Sequence, residues 1–373
     1  MSIEIKEVKS LADRKAFVDV QFSIYKGSKF WVPPLIKSEI KSIDPEFNPA
    51  FEFCDSKFWL AYKNGNCVGR IGALINHPYN EKMSEKIGRF TRLEFFKDKE
   101  TVEALINTAE NWVKEKGMNG IRGPLGFSNL DSQGLLVEGF DHLPSIASVY
   151  HHPYYYPYLE DMGFEKENDW IEFRLFHENA IPEKVLKINE IVKQRYSLQI
   201  RHFKSYSEIQ LYTQRIFKIF NEAFDELPYM HALNEKMIEF YSSKYFKMIN
   251  PDFVKVIEDK EQNIVGFIIS VPSLSEAMQK AKGKLFPIGF LYLKKAMKSP
   301  KVIDFFLTGI TPGQHGQGAA ALLMTELHKE VIKYGVEAVE TTGMFESNVK
   351  AIQNWKNYPH MQHKRKRCYI KIF

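Results

Sequence analysis

Apolar residues along this 373-residue chain recur with two periods, and the periods alternate in nearly the same order twice. The second half is the clearer. Residues 198–203 alternate apolar and polar and predict a short strand. Residues 207–227 and 233–247 carry helical spacing, with Pro228 between them. Two apolar runs, 253–258 and 264–271, flank the polar turn 259–263 and predict a hairpin. A strand is predicted at 302–310, a helix over 318–334 ending near Gly335, and a strand at 336–342. A helix over 348–357 and a closing strand over 363–373 complete the half.

The first half repeats this order more faintly. Residues 3–8 read as a strand and 11–25 as a helix. The runs 58–62 and 67–75 form a hairpin, with Asn64-Gly65 as its turn signal. A strand at 89–96 leads to a helix over 99–117 that ends on Gly117. Strands at 118–123 and 171–176 follow. The division predicted is 1–177, a helical connector over 178–196, and 197–373. A repeat on this scale sets the reading of the whole protein.

The stretch from Leu307 to Leu323 is the most informative one. Phe305, Phe306, Leu307 and Ile310 supply a strand, which Pro312 and Gly313 stop. Gly316 and Gly318 then allow a tight path into a helix that opens Ala319-Ala320-Ala321. Unsatisfied N–H groups at a helix start, reached past glycines, make an anion site that suits a pyrophosphate. The first half has no counterpart. Phe96-Lys97-Asp98-Lys99-Glu100-Thr101 holds no glycine, and its two carboxylates oppose a phosphate.

The segment His315-Gly316-Gln317-Gly318-Ala319-Ala320 resembles the signature of the GNAT (Gcn5-related) N-acetyltransferases, in which Arg or Gln precedes a Gly-x-Gly/Ala turn. Gly318 and Ala320 match the two small positions, and His315 replaces the Arg or Gln. Gly309-Ile310-Thr311-Pro312 resembles the lead-in strand of that family. The resemblance implies an α/β (α+β) chain of two tandem GNAT-like domains, each a mixed, mostly antiparallel twisted sheet flanked by helices. It also implies acetyl-CoA or another acyl-CoA as co-substrate. The cofactor-binding residues it points to are Gly309, Ile310, Thr311, His315, Gly316, Gln317, Gly318, Ala319, Ala320, Asn348 and Trp355.

Direct acyl transfer, the reaction of the family, needs a base for the amine proton and an acid for the leaving thiolate. Asn348-Val349-Lys350-Ala351 resembles the start of the family's Asn-x-x-Ala-x-x-x-Tyr pattern, but Trp355 stands in place of the Tyr. An indole N–H cannot give up its proton near neutral pH, so the candidate acid is Tyr358. Its alternative role is aromatic packing. Glu340 and Glu346 are the candidate bases, with solvated surface carboxylates as the alternative. Asp304 is a third, weaker candidate, a charge inside an apolar run that needs a partner.

The loop 123–141 and the aromatic run 150–156 resemble a segment shared by bacterial tandem-GNAT proteins. A loop of that length in a compact domain is usually functional. Asn129, Asp131, Gln133, Tyr154 and Tyr155 are candidate substrate-binding residues, and capping the interface between the halves is the alternative. His151-His152 lacks carboxylates or cysteines at ligand spacing, so no metal is expected.

Composition narrows the classes. With 44% hydrophobic and 14% aromatic residues, a large core can form and disorder is not expected. No apolar run is long enough to span a bilayer, and the opening residues predict no secretory signal. Three cysteines without CxxC spacing suit a reducing, cytoplasmic setting. A net charge of +5 favours anionic ligands without indicating nucleic acid. Lys364-Arg365-Lys366-Arg367 reads as a solvated strand edge or an aid to CoA phosphate binding. The insertion 272–301 mixes apolar residues with lysines. It reads as a packed helical hairpin, a lid over an acyl chain, or a segment that touches membrane.

The expected activity is acyl-CoA-dependent N-acyl transfer to a small-molecule or peptide amine, with acetyl-CoA as the leading donor. The alternatives are a non-catalytic acyl-CoA or metabolite binder and a transferase using a long acyl chain. No nucleic-acid partner and no stable membrane insertion are expected, and the sequence carries no signal for oligomeric state.

Overall fold

The computed structural model describes residues 2–245, 249–314, 318–353 and 358–373. The first half contains β1 (Glu4–Glu7), α1 (Leu11–Ile24), α2 (Ile36–Ser42), β2 (Cys54–Lys63), β3 (Asn66–Asn76), α3 (His77–Met83), β4 (Ile87–Phe95), α4 (Lys99–Glu115), β5 (Gly120–Gly123), β6 (Leu135–Glu138), α5 (Tyr155–Asp161) and β7 (Glu165–Leu175). The connector α6 (Glu183–Tyr196) leads to β8 (Gln199–His202), α7 (Tyr206–Phe224), α8 (Glu235–Tyr245), β9 (Val254–Glu258) and β10 (Ile264–Pro272). Then come α9 (Ser275–Ala281), α10 (Gly289–Lys298), β11 (Val302–Ile310), α11 (Ala319–Tyr334), β12 (Ala338–Thr341), β13 (Met344–Phe345), α12 (Val349–Gln353) and β14 (His360–Ile372).

The fourteen strands among the described residues join one sheet, whose main path runs β1-β2-β3-β4-β5-β14-β7-β12-β11-β10-β9-β8. Neighbours pair antiparallel except for β4 with β5 and β11 with β12, which run parallel. The two halves do not close separate sheets. The last strand of the chain, β14, lies between β5 and β7 of the first half, and β7 in turn pairs with β12 of the second.

Charge explains the long β7–β14 pairing. Lys364, Arg365, Lys366 and Arg367 face a strand that carries Asp169 and Glu172. Arg365 and Arg367 both bond Asp169, at 2.9 Å each, and Lys366 Nζ lies 3.1 Å from Glu172. These basic residues were expected to form a solvated edge, and that expectation is corrected here. Lys364 and Lys366 are buried in the middle of the sheet, because β14 is an interior strand. Buried pairs of this kind are poor sources of net stability but strongly penalise any register that breaks them.

Helices cover both faces. α11 packs on Phe253, Ile257, Val265, Ile268, Ile303 and Phe305 on one side. α7 and α8 pack on Val254, Val256, Phe267 and Ile269 on the other. The alternation along β9 and β10 thus sends successive side chains to opposite cores. In the first half, α4 buries Val102, Leu105, Ile106, Ala109 and Val113 against β2–β5.

Candidate active site

A cleft opens where β11 and β12 part. They pair from Val302↔Ala338 to Phe305↔Thr341, and Thr342 N–H still reaches the Phe305 carbonyl at 3.3 Å. Beyond that point β12 gives way to β13, which pairs with β7 at Ile171 and Trp170 instead. Phe306 is skipped at a register shift against β10, and its carbonyl accepts from the Thr342 hydroxyl at 3.4 Å; the stretch from Leu307 to Ile310 then keeps strand neighbours only on its β10 side. Glycine is needed within it, since a Cβ at Gly309 would stand 2.7 Å from the Phe267 ring.

The chain leaves β11 through Thr311, whose N–H and hydroxyl both bond back to β10 at Val265 and Ile264, 2.8 Å each. It enters α11 at Gly318, which has φ +80° and caps the helix with no side-chain hydrogen bond. Among the described residues, the first amides of α11, at Ala319, Ala320 and Ala321, thus have no side-chain cap from the N-cap position, which is the condition for an anion site. Val192 of α6 lines this turn, 3.1 Å from where a Gly318 Cβ would be. His315, Gly316, Gln317 and Trp355 lie outside the described residues. Asn348 caps α12, its Oδ1 accepting from Ala351 N–H at 3.2 Å.

At the root of the cleft lies a buried charged patch. Asp304 and Glu340 are register partners on adjacent parallel strands and share a face. Glu340 Oε1 accepts from Arg174 Nε at 2.6 Å. Its Oε2 lies 2.6 Å from His363 Nε2, at ion-pair distance but out of hydrogen-bond alignment. Burial works to raise the Glu340 carboxyl, but His363, Lys364 and Arg174 together hold it below the ordinary range. Asp304 goes the other way. Burial, with Glu340 next to it, pushes its carboxyl up to about 7, although the Ser273 hydroxyl and Lys364 oppose the rise. Neither Asp304 oxygen has a hydrogen bond of proper geometry. Two neighbouring carboxyls pushed apart in this way are the usual form of an acid–base pair. The patch is roofed by residues 142–148. His142 packs edge-on against His363, Lys364 Nζ bonds the Leu143 carbonyl, and Ser148 Oγ bonds Glu172. α9 braces this roof through Ser275 Oγ, 2.7 Å from the Pro144 carbonyl.

The remaining sequence candidates lie elsewhere. Glu346 is an exposed member of the ion-pair network with Lys166 and Arg365. Tyr358 lines a small apolar pocket with Leu327, His328 and Val331, against the middle of α11. At 1.5 Å per residue, His328 is roughly 13 Å along the helix from its start. Asn129, Asp131 and Gln133 brace their own loop. Asp131 accepts from Phe127 N–H, Gln133 bonds the Ser128 carbonyl, and Asn129 bonds the Pro228 carbonyl across the halves.

Tyr154 and Tyr155 fill the place in the first half that corresponds to the cleft. The Tyr155 hydroxyl accepts from Phe95 N–H at 3.1 Å and donates to Glu94 at 2.8 Å. The Tyr154 hydroxyl donates to the Phe95 carbonyl at 2.8 Å. Both backbone groups of Phe95 on the strand edge are therefore taken by the protein itself. Burial raises the Glu94 carboxyl to about 7 against the pull of Arg70, Tyr25 and Tyr155. Replacing Tyr155 by Phe is expected to destabilise the fold by about 2–4 kcal/mol, since it orphans a buried N–H and removes a donor from a buried carboxyl. Chemical denaturation checks this, and an unchanged midpoint would contradict it.

Sequence reasoning did not single out Arg174 or His363. Both lie on strands rich in charged residues, so nothing in the local pattern set them apart. Among the described residues, no group of three His, Cys, Asp or Glu is placed to hold a metal ion.

With this geometry in view, the likeness to solved structures is decisive for the fold. A tandem GNAT protein from the clavulanic acid biosynthesis pathway superposes with a TM-score of 0.57 at 12% identity, covering 100% of this chain and 98% of the other. The chain has the tandem GNAT fold. Protein YghO of Escherichia coli is 25% identical over 349 residues, 90% of this chain and 87% of that protein. The bacterial ceramide synthase of Caulobacter vibrioides is 22% identical over 378 residues, 99% and 97% of the two chains. No protein-family model matches the sequence. No helix among the described residues is long and apolar enough to cross a membrane.

Proposed function

We propose that this protein is an acyl-CoA-dependent N-acyltransferase whose working site is the β11–β12 cleft of the second half. The observation that carries the reading is the combination at one cleft: an uncapped helix start at Gly318 and a paired Asp304 and Glu340 at the cleft root. The helix amides suit a pyrophosphate. The backbone edge from Leu307 to Ile310, with a strand neighbour only at β10, suits an extended thioester arm, as a strand edge suits any peptide-like chain.

Asp304 is the proton acceptor in this proposal. A base is most effective with a pKa near the working pH, and Asp304 is held near 7. Glu340, pinned as a carboxylate by Arg174 and His363, keeps Asp304 high by its negative charge. The attacking amine nitrogen forms the C–N bond and the C–S bond breaks. The amine proton passes to Asp304, and the sulfur leaves as a thiolate that takes a proton from solvent. The first half contributes no second cofactor site in this reading, because Tyr154 and Tyr155 occupy its strand edge.

Two observations favour a long acyl donor as the second reading. One full-length relative is named a ceramide synthase, and a ceramide is a fatty amide. The α9–α10 insertion, next to the roof of the charged patch, also carries exposed apolar side chains. Acceptor and chain length are tested together by thiol release from acetyl- and palmitoyl-CoA against a panel of amines, including a long-chain amino alcohol. Thiol release that depends on the amine supports transfer. CoA binding without release across the panel would leave a binding protein.

A further inference from the structure

The α9–α10 insertion presents an exposed surface that takes no part in the proton transfer at Asp304. Between the two helices the chain passes Leu285, Phe286, Pro287 and Ile288, and α10 begins at Gly289. Phe286 is 77% exposed, Ile288 55%, Leu291 52% and Phe290 42%. The rings of Phe286 and Phe290 lie 5.8 Å apart, so these side chains form one cluster rather than scattered contacts. The insertion is anchored beneath by Leu274, Ala277, Met278, Ala281 and Leu293, which leaves the cluster facing outward.

The charge around the cluster has one sign. From Ala277 to Lys301 the sequence holds seven lysines and no aspartate or glutamate. Lys282, Lys284, Lys294, Lys295 and Lys298 are exposed, and none is in an ion pair with another described residue. On α10, Phe290, Leu291, Lys294, Lys295 and Lys298 fall within an arc of roughly 140°, at about 100° per residue. The apolar residues occupy the first turn of that face and the lysines the following turns.

We propose that this surface docks the protein on an anionic lipid bilayer, with Phe286, Ile288, Phe290 and Leu291 entering the headgroup boundary and the lysines on the phosphates. Apolar tips collared by lysine are the arrangement that interfacial binding needs, since burial and charge attraction then act together. Stable spanning is excluded by length, as α10 has 10 residues. An acidic protein partner would use the lysines, but it would gain less from the exposed apolar cluster beside them. The inference does not rest on the transferase reading, because docking is measured without acyl-CoA.

The test is flotation of the full chain with vesicles of phosphatidylcholine alone or with about 30 mol% phosphatidylglycerol. Binding is expected to the anionic vesicles, to fall when salt is raised, and to be weakened at least ~10-fold by Phe286→Asp with Ile288→Asp. These positions are exposed, so an unchanged Tm accompanies that result. Lys294→Glu with Lys295→Glu is a second variant, expected to lose binding to anionic vesicles as well. Absence of wild-type binding to anionic vesicles would overturn the proposal, and so would wild-type binding by both variants. Capture of an acidic protein without vesicle binding would also overturn it.

Discussion

Gly318→Glu is expected to weaken CoA binding by at least ~100-fold, the effect of setting a buried like charge against a phosphate site. The argument has three parts. Gly318 has φ +80°, a conformation that costs about 1 kcal/mol for an L-residue. A Cβ there would lie 3.1 Å from both Val192 methyls, so α6 must yield slightly. Most of the effect comes from the carboxylate itself. It would sit at the N-terminal amides of α11 and satisfy them in place of a phosphate. Gly318→Ala separates these contributions, because it carries the strain and the contact but no charge. Its CoA affinity is expected to fall only a few-fold, about 1 kcal/mol. Calorimetry reads both variants, with Tm as the control for folding. Gly318→Glu binding CoA like the wild type would remove this turn as the site.

Asp304→Asn is expected to lower kcat by about 10²–10⁴-fold, the usual range for loss of a positioned base, with CoA affinity unchanged. The same substitution is expected to stabilise the protein at alkaline pH. Burial, with Glu340 beside it, pushes the Asp304 carboxyl up to about 7 in the fold from an ordinary value of 3.8. As pH rises through that window the unfolded chain loses the proton first, so the native state is progressively penalised. The penalty is absent below about pH 4 and complete above pH 7, with a ceiling near 4 kcal/mol for a shift of this size. The stability difference between Asp304→Asn and wild type should therefore grow from pH 4 to pH 7 and then level off. Denaturation at several pH values checks it. A difference independent of pH would show that Asp304 is not held near neutrality, and an unchanged kcat would show that it is not the base.

The two variants test features that were unequally legible in the sequence. β11 and α11 were readable almost residue for residue, because local signals agree there. An apolar run stops at Pro312-Gly313, and an Ala-Leu helix starts after Gly318 and ends on Gly335. The hairpin β2–β3 was equally plain from Asn64-Gly65, although β2 starts at Cys54 rather than Phe58. β6 and β13 were missed, being four and two residues long with no pattern of their own.

What local patterning could not show is partner choice between strands. Lys364-Arg365-Lys366-Arg367 looks like a surface run until β7 is placed beside it, at which point its charges match Asp169 and Glu172. The acid–base pair was obscured for the same reason. Asp304 and Glu340 are 36 residues apart, and only the parallel register of β11 and β12 makes them neighbours. The substrate candidates Tyr154 and Tyr155 were conspicuous as an aromatic run, and their position identifies what the run does. They close the first half's strand edge by bonding Phe95.

The central claim is one acyl-CoA site per chain, in the second half. Calorimetric titration of the full chain with CoA measures it directly. The account predicts a stoichiometry of one, abolished by Gly318→Glu and retained in Asp304→Asn. No binding, or two equivalent sites per chain, would contradict it.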